Sequence, residues 1–191
     1  PRWVIAGNGI GVGVYASALV QGSKEGAGAD FVDVKSTAKI LAIDLDNPTI
    51  LRQTEFTIPL TEAQTKAGYQ IGRIDVPILN AAKNKVFIGC NLTKVDLTKK
   101  STVNNNGVRT WATTNPGREL GTATLVVDYP SLANPKLIYS GLSKTNNHSY
   151  RTMSQWLGSN GDIYQATAVS GSQILKISAS TNTYDDSYNF D

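Results

Sequence analysis

Residues 122–140 read TATLVVDYPSLANPKLIYS, and this stretch decides the fold. Its first part, Thr122 to Tyr129, is rich in branched and apolar residues, as β-strands are. Pro130 ends that run, and a second run, Lys136 to Ser140, follows a short polar segment. Because Pro and Asn favour turns, the stretch predicts two neighbouring strands joined by a turn.

The same pair of runs occurs once before and once after this stretch. Before it, Ala38 to Asp44 is followed across Asp46-Asn47-Pro48 by Thr49 to Ile58. After it, Ser172 to Ser178 is followed by Tyr184 to Phe190. Two further strands are predicted ahead of each pair, at Arg2–Ala6 and Gly13–Val20, at Ile71–Leu79 and Lys85–Gly89, and at Met153–Leu157 and Asp162–Thr167.

These runs form three units of about four strands each, at residues 1–59, 68–142 and 148–191. The second unit is longer because it contains a turn-rich insertion, about Asn91 to Gly121. Four-stranded units repeated every roughly 40–50 residues are typical of β-propeller blades, and propellers close with typically four to eight of them. We therefore predict an all-β chain that forms part of a larger propeller of seven to eight blades. The missing blades would come from the rest of a longer precursor or from another chain, and the alternative is a complete β-sandwich of about twelve strands.

Composition narrows the class of protein. Charged residues make up 17% of the 191 residues and the net charge is +3, with no basic cluster interleaved with aromatic residues, so nucleic-acid binding is not predicted. The one cysteine, Cys90, lies in the apolar run from Val86 and is expected to be buried. The only helix predicted is Thr61–Ala67, since Thr61 and Gln64 have the spacing of a capping box.

No catalytic constellation emerges from the sequence. The glycines of Gly7–Gly13 lack the spacing of a dinucleotide loop, and Pro48 interrupts the calcium-loop pattern that Asp44 opens, so both Asp44 and Asp128 are expected to bond turn backbone instead. His148 is the only histidine and no nucleophile elbow accompanies it. We predict no enzyme activity, metal or cofactor. A propeller hydrolase that needs only two carboxylates stays a distant alternative.

Binding residues are predicted in two connections. The insertion holds Arg109, Trp111 and Arg118, and the segment before the third unit holds Tyr150 and Arg151. A guanidinium group supplies charge and fork-like donors while an aromatic ring stacks, which suits an anionic aromatic ligand and also a sugar. Trp111 lies among polar residues and is expected in an exposed loop. Trp156, in contrast, is expected in the core of the third unit.

The last third of the chain resembles a known family. Asn160-Gly161-Asp162-Ile163-Tyr164, the strand from Ile174 to Ile177 and the ending Thr183 to Asp191 are similar to the NGDIY, "ILRIK"-like and TxxFDxxYxFD segments of the DUF4374 family. Val126 to Leu132 is similar to a further segment of the family. Tyr184 stands where the family more often has Phe, and Asn189 is a mild departure.

The resemblance implies a function. Members of this family are Bacteroidetes cell-surface lipoproteins that form β-propellers and are about twice as long as this chain, and some capture iron-bound siderophores for an outer-membrane transporter. We therefore expect an exported ligand-binding module at the outer membrane, with its signal peptide and lipid anchor outside these residues. Its expected partners are a ferric siderophore and a TonB-dependent transporter. A glycan-binding or structural surface protein is the alternative.

Overall fold

The computed structural model describes residues 2–22, 31–114, 117–143, 154–167 and 173–188. Over these ranges the chain is mainly β-strand, arranged in several antiparallel sheets of which none closes on itself. The predicted all-β class is therefore confirmed. No helix within these ranges has the length and apolar character needed to cross a membrane.

Sheet 1 is a four-stranded meander. Its strands, in spatial order, are β1 (Arg2–Gly7), β2 (Ile10–Gly22), β3 (Phe31–Asp44) and β4 (Thr49–Thr57). Asn8 and Gly9 both have positive φ, the backbone that a tight two-residue hairpin turn requires. At the turn between β3 and β4, on the same end of the sheet, Asp44 Oδ1 accepts hydrogen bonds from the backbone amides of Asp46 and Asn47, at 2.9 and 3.0 Å, as predicted.

Sheet 2 is built around one long strand. The helix α1 (Glu62–Lys66) precedes it, and Thr61 and Gln64 form the predicted capping box. The elements that follow α1 along the chain are β5 (Tyr69–Ile74), β6 (Ile78–Leu79), β7 (Lys85–Val95), β8 (Thr102–Val103), β9 (Arg109–Thr110), β10 (Thr113–Thr114), α2 (Gly117–Leu120), β11 (Thr122–Asp128) and β12 (Lys136–Ser140). β7 pairs with β5, β6, β10 and β11, and β11 pairs with β12, while β8 and β9 form a separate hairpin. β7 continues to Val95, so it includes the first residues of the predicted insertion.

Sheet 3 is the smallest of the three. It contains β13 (Gln155–Leu157), β14 (Ile163–Ala166) and β15 (Ile174–Ile177), in that spatial order. The fourth strand predicted from Tyr184 does not form over the described residues 184–188. Tyr184 makes only an isolated bridge to Ile177 at the position where that strand would pair.

Sheet 2 lies between the other two sheets. Val86, Ile88 and Leu125 belong to an apolar cluster shared with sheet 1, whereas Phe87 and Val126 belong to a cluster shared with sheet 3. Because side chains alternate along a strand, both faces of β7 and β11 are buried, and this is why their sequences are continuously apolar. Cys90 is fully buried in the first cluster, as predicted.

The outer faces of sheets 1 and 3 are apolar and exposed. We call the outer face of sheet 1 the head face; it carries Trp3, Ile5, Tyr15, Leu41 and Ile43. We call the outer face of sheet 3 the tail face; it carries Trp156, Tyr164, Ala166 and Ile174.

Trp156 corrects a sequence expectation, since its side chain is 70% exposed and does not lie in the core. The alternation of β13 explains this, because Gln155 points inward and its neighbour Trp156 must then point outward.

The three sheets come together at their first strands. Val4–Gly7 of β1, residues 78–83 around β6 and Leu157 of β13 all line one cavity of about 340 Å³. Stacked sheets lie about 10 Å apart, so a parallel stack with sheet 2 in the middle would hold sheets 1 and 3 about 20 Å apart. The turns that follow the first strands of the three sheets lie at the same end of the molecule, which we call the upper end. There Gly7 lies against Lys83, and Gly161 lies against Ala81. The three sheets therefore approach one another at this end of their first strands.

Candidate functional site

The predicted site residues of the insertion lie at the lower end of sheet 2, opposite the turns just described. Arg109 begins β9 of the small hairpin, and its Nη1 donates a hydrogen bond to Ser101 Oγ at 2.6 Å. Trp111 follows directly and is half-buried, more than the exposed loop that its sequence context predicts. Its indole N–H is covered and makes no hydrogen bond within the part of the chain that the structure describes.

The other predicted residues are placed only in part. Arg118 lies in the short helix α2, but its side chain is outside the described residues. Tyr150 and Arg151, together with His148, also fall outside them. The structure therefore describes the side chains of Arg109 and Trp111 and not those of the other three predicted residues.

The two connecting segments that contain these residues, the insertion and the segment after β12, join sheet 2 at adjacent points. The insertion returns to the sheet at Gly121, and the segment that leads to Tyr150 starts from the end of β12. Thr122 Oγ1 lies 3.5 Å from the carbonyl oxygen of Ser143, which joins these two points. Gly121 has a φ of +81°, and a Cβ there would collide with the carbonyl of Ser140, so only glycine permits this close approach.

A cluster that the sequence did not predict fixes the end of the insertion. The Tyr69 hydroxyl donates a hydrogen bond to Glu119 Oε2, Lys94 Nζ contacts the same oxygen at 3.0 Å, and the Lys94 ammonium lies 4.8 Å from the Tyr69 ring centroid. Burial, and next the hydrogen bond to Glu119, raises the pKa of Tyr69 to about 12, whereas the bonds from Tyr69 and Lys94 lower the pKa of the Glu119 carboxyl. Because Glu119 lies in α2, the cluster ties the helix that contains Arg118 to sheet 2. Its members are 25 and 50 residues apart, and no local pattern links them.

A polar groove of about 450 Å³ lies at the upper end between sheets 2 and 3. It is lined by Lys85, Asp128, Asn134, Lys136 and the turn Thr181–Thr183. Asp128 accepts hydrogen bonds from Lys85 Nζ and Asn134 Nδ2, so its side chain bonds neighbouring side chains and not the turn backbone that we expected. The bond from Lys85, followed by that from Asn134, lowers the pKa of the Asp128 carboxyl. This carboxylate is therefore suited to accept hydrogen bonds from a ligand or a neighbour at neutral pH.

The remaining reactive groups of the described residues are a buried thiol and scattered carboxylates. Cys90 is fully buried, and burial raises the pKa of its thiol to about 12, so it stays protonated. Within the described ranges, no three His, Cys, Asp or Glu side chains lie close enough together to hold a metal ion. The chemistry that these residues offer is charge pairing, hydrogen bonding and aromatic stacking.

Comparison of the chain with protein-family models, with curated proteins and with solved structures gives no match.

Proposed function

We propose that this chain is a segment of a surface β-propeller of the DUF4374 type that binds an anionic iron chelate without breaking bonds in it. In this proposal the lower end of sheets 2 and 3 holds a ferric siderophore and presents it to a TonB-dependent transporter in the outer membrane. Arg109 and Arg118 supply positive charge, Trp111 and Tyr150 supply stacking surfaces, and Arg151 adds a further guanidinium group.

The observation that most directly supports the proposed binding site is the contact between Thr122 and Ser143. It brings the bases of both connections together, although Arg109 and Tyr150 are about forty residues apart in the sequence. Two segments that start from adjacent points on one edge can enclose one ligand. Loops placed by a rigid sheet are where binding residues are commonly found.

The propeller part of the proposal is supported by the convergence of β1, β6 and β13 on one cavity. Propeller blades are four-stranded sheets that radiate from a central axis. Sheet 1 has the strand order and antiparallel pairing of a blade, and sheets 2 and 3 repeat it with an added insertion and a reduced fourth strand.

The chemistry of Trp111 and Arg109 fits an anionic aromatic ligand. The half-buried Trp111 side chain offers part of its indole ring for stacking, and the guanidinium group of Arg109, two residues earlier, compensates negative charge. A ferric catecholate carries both aromatic rings and negative charge.

The test is calorimetric titration of the protein with ferric tris-catecholate. Arg109→Ala combined with Trp111→Ala is expected to weaken binding at least tenfold, on the order of 1.4 kcal/mol. Arg52→Ala, on the exposed strand β4 of sheet 1, removes the same charge elsewhere and should leave the affinity unchanged. Equal affinities of the double variant and the unaltered protein would remove this site.

Glycan binding is the second candidate, and the upper groove favours it. Asn134, Asn182 and the hydroxyls of Thr181 and Thr183 offer the donors and acceptors that bond sugar hydroxyl groups, above an apolar floor of Val126 and Ile138. A panel of polysaccharides and ferric catecholates separates the two candidates. Binding that is lost in Asn134→Ala with Asn182→Ala, and kept in the Arg109 and Trp111 double variant, would favour the glycan.

A further inference from the structure

The proposed function does not explain the exposed apolar side chains of the head and tail faces. Trp3 is 58% exposed and Ile5 is 64% exposed on the head face, and Trp156 is 70% exposed on the tail face. Contiguous exposed apolar surface of this kind on a soluble protein marks an interaction site.

The strand registers show that the head face corresponds to a face that is buried in the other two sheets. In sheet 1 the cross-strand row Ile5–Gly11–Ile43 lies on it. The row at the same place in sheet 2 is Leu79–Val86–Val127, which is buried in the cluster shared with sheet 1. The row in sheet 3 is Leu157–Ile163–Ile177, which packs in the cluster shared with sheet 2. The head face is therefore the face that, in the other two sheets, receives the preceding sheet.

The same comparison defines the tail face. Its row Trp156–Tyr164–Lys176 corresponds to Ile78–Phe87–Val126 of sheet 2, which packs against sheet 3. Sheet 1 has Val4–Val12–Ala42 at this place, and this row packs in the cluster shared with sheet 2. The tail face is therefore the face that, in the other two sheets, receives the following sheet. Head and tail are the two complementary halves of an interface that the molecule already makes twice.

We propose that a second copy of this chain docks head to tail, so that each tail face covers the head face of the other copy. This rests on the propeller part of the proposed function. Head-to-tail contacts between copies either close into a ring or continue as a filament. Two copies supply six sheets, inside the range of four to eight from which propellers close and below the seven or eight that we predicted from the sequence. A closed pair covers the head face and the tail face of both copies.

The charges on both faces permit this burial. Lys39, beside Tyr15 on the head face, pairs with Glu55 at 3.1 Å. Lys176, beside Tyr164 on the tail face, pairs with Asp185 at 2.6 Å and lies 5.4 Å from the Tyr188 ring centroid. Because each of these lysines already has a carboxylate partner, covering the faces does not isolate an unpaired ammonium group.

The test is the mass of the 191-residue chain in solution, measured by sedimentation equilibrium at micromolar concentrations. A closed pair has twice the 20.5 kDa of one chain and no larger species. Trp3→Lys and Trp156→Lys should each raise the dissociation constant of the pair at least 100-fold, because both interfaces of the ring contain one head and one tail. Val103→Lys, on an exposed side chain of the β8–β9 hairpin, is the matched control and should leave the pair intact.

Two results would overturn the second copy as the occupant. A chain that stays monomeric at 100 µM would mean that other sheets cover these faces, and an open polymer would mean that the ring does not close. Titration of the same samples with ferric tris-catecholate keeps the two proposals apart. A monomer that binds the chelate leaves the proposed function standing, and a pair that does not bind it removes the chelate site alone.

Discussion

The two interfaces that sheet 2 makes with its neighbours are built from different chemistry. Toward sheet 1 the buried side chains are almost all apolar, among them Val12, Ile40, Ile71, Ile88 and Leu125. Toward sheet 3 the buried apolar cluster is smaller among the described residues, where it comprises Ile78, Phe87, Val126, Ile163 and Ile177. A polar network lies beside that second cluster.

The network is centred on Gln165, which is fully buried. Its Oε1 accepts hydrogen bonds from the Tyr184 hydroxyl at 2.6 Å and from Thr124 Oγ1 at 3.2 Å, and its Nε2 donates to Gln155 Oε1. Gln155 in turn donates to the carbonyl of Val76 at 2.7 Å. Apolar contacts are non-directional, whereas hydrogen bonds require one geometry. We infer that burial holds sheets 1 and 2 together and that the network fixes the position of the small sheet 3.

The largest expected effect comes from weakening the apolar interface. Ile40→Ala removes a side chain with no exposed surface and should lower the free energy of unfolding by about 2–5 kcal/mol, measured by urea denaturation. Val103→Ala, on an exposed hairpin residue, is the control and should change it by no more than about 0.5 kcal/mol. A small effect of Ile40→Ala would mean that this cluster does not hold the sheets together.

A smaller decrease in the free energy of unfolding is expected when the polar network between sheets 2 and 3 is weakened. Gln165→Ala withdraws the acceptor that Tyr184 and Thr124 share, and should cost about 1–3 kcal/mol because buried polar groups lose a partner. A double-mutant cycle with Tyr184→Phe isolates their interaction. If the two losses simply add, Gln165 and Tyr184 do not act as one network.

The smallest expected effect is the pH dependence that the ion pair of Lys176 and Asp185, beside sheet 3, adds to stability. The hydrogen bond from Lys176, followed by that from Ser187, lowers the pKa of Asp185 from 3.8 to about 2. A depressed carboxyl pKa contributes stability that is present above about pH 4 and is lost as the pH falls through about 2. Lys176→Met should therefore lower stability at pH 6, and its effect should shrink as the pH falls through about 2. An NMR titration of Asp185 that gives a midpoint near 3.8 in the unaltered protein would contradict this pairing.

The sequence predicted the strands better than it predicted their faces. Continuous apolar runs such as Val86–Cys90 and the turn at Asn160-Gly161 carry local signals for strands and hairpins. No local signal says which side of a short strand meets a neighbour, and this is why the sequence predicts a buried Trp156 although the side chain is exposed. Its position depends on where sheet 2 lies, which is a property of the packed molecule.

The candidate site was predictable only in its residue types. Arg109 and Trp111 stand out as a charged and an aromatic residue in a polar insertion. The cluster of Tyr69, Lys94 and Glu119 that holds the insertion against the sheet joins residues far apart in the sequence. No local sequence pattern therefore predicts it. The same holds for the contact between Thr122 and Ser143.

The central claim is that the three sheets radiate from their first strands, and pulsed EPR distances between sheets 1 and 3 test it most directly. One labelled pair, Asn8→Cys with Ser159→Cys, sits on the turns that follow the first strands, and the other, Asn47→Cys with Thr181→Cys, on the turns that follow the third strands. All four positions are exposed, while buried Cys90 resists labelling, and dilution with unlabelled chain removes distances between copies. Radiating sheets predict a clearly longer distance for the second pair than for the first. Equal distances would mean that the sheets are stacked in parallel, and would contradict the claim.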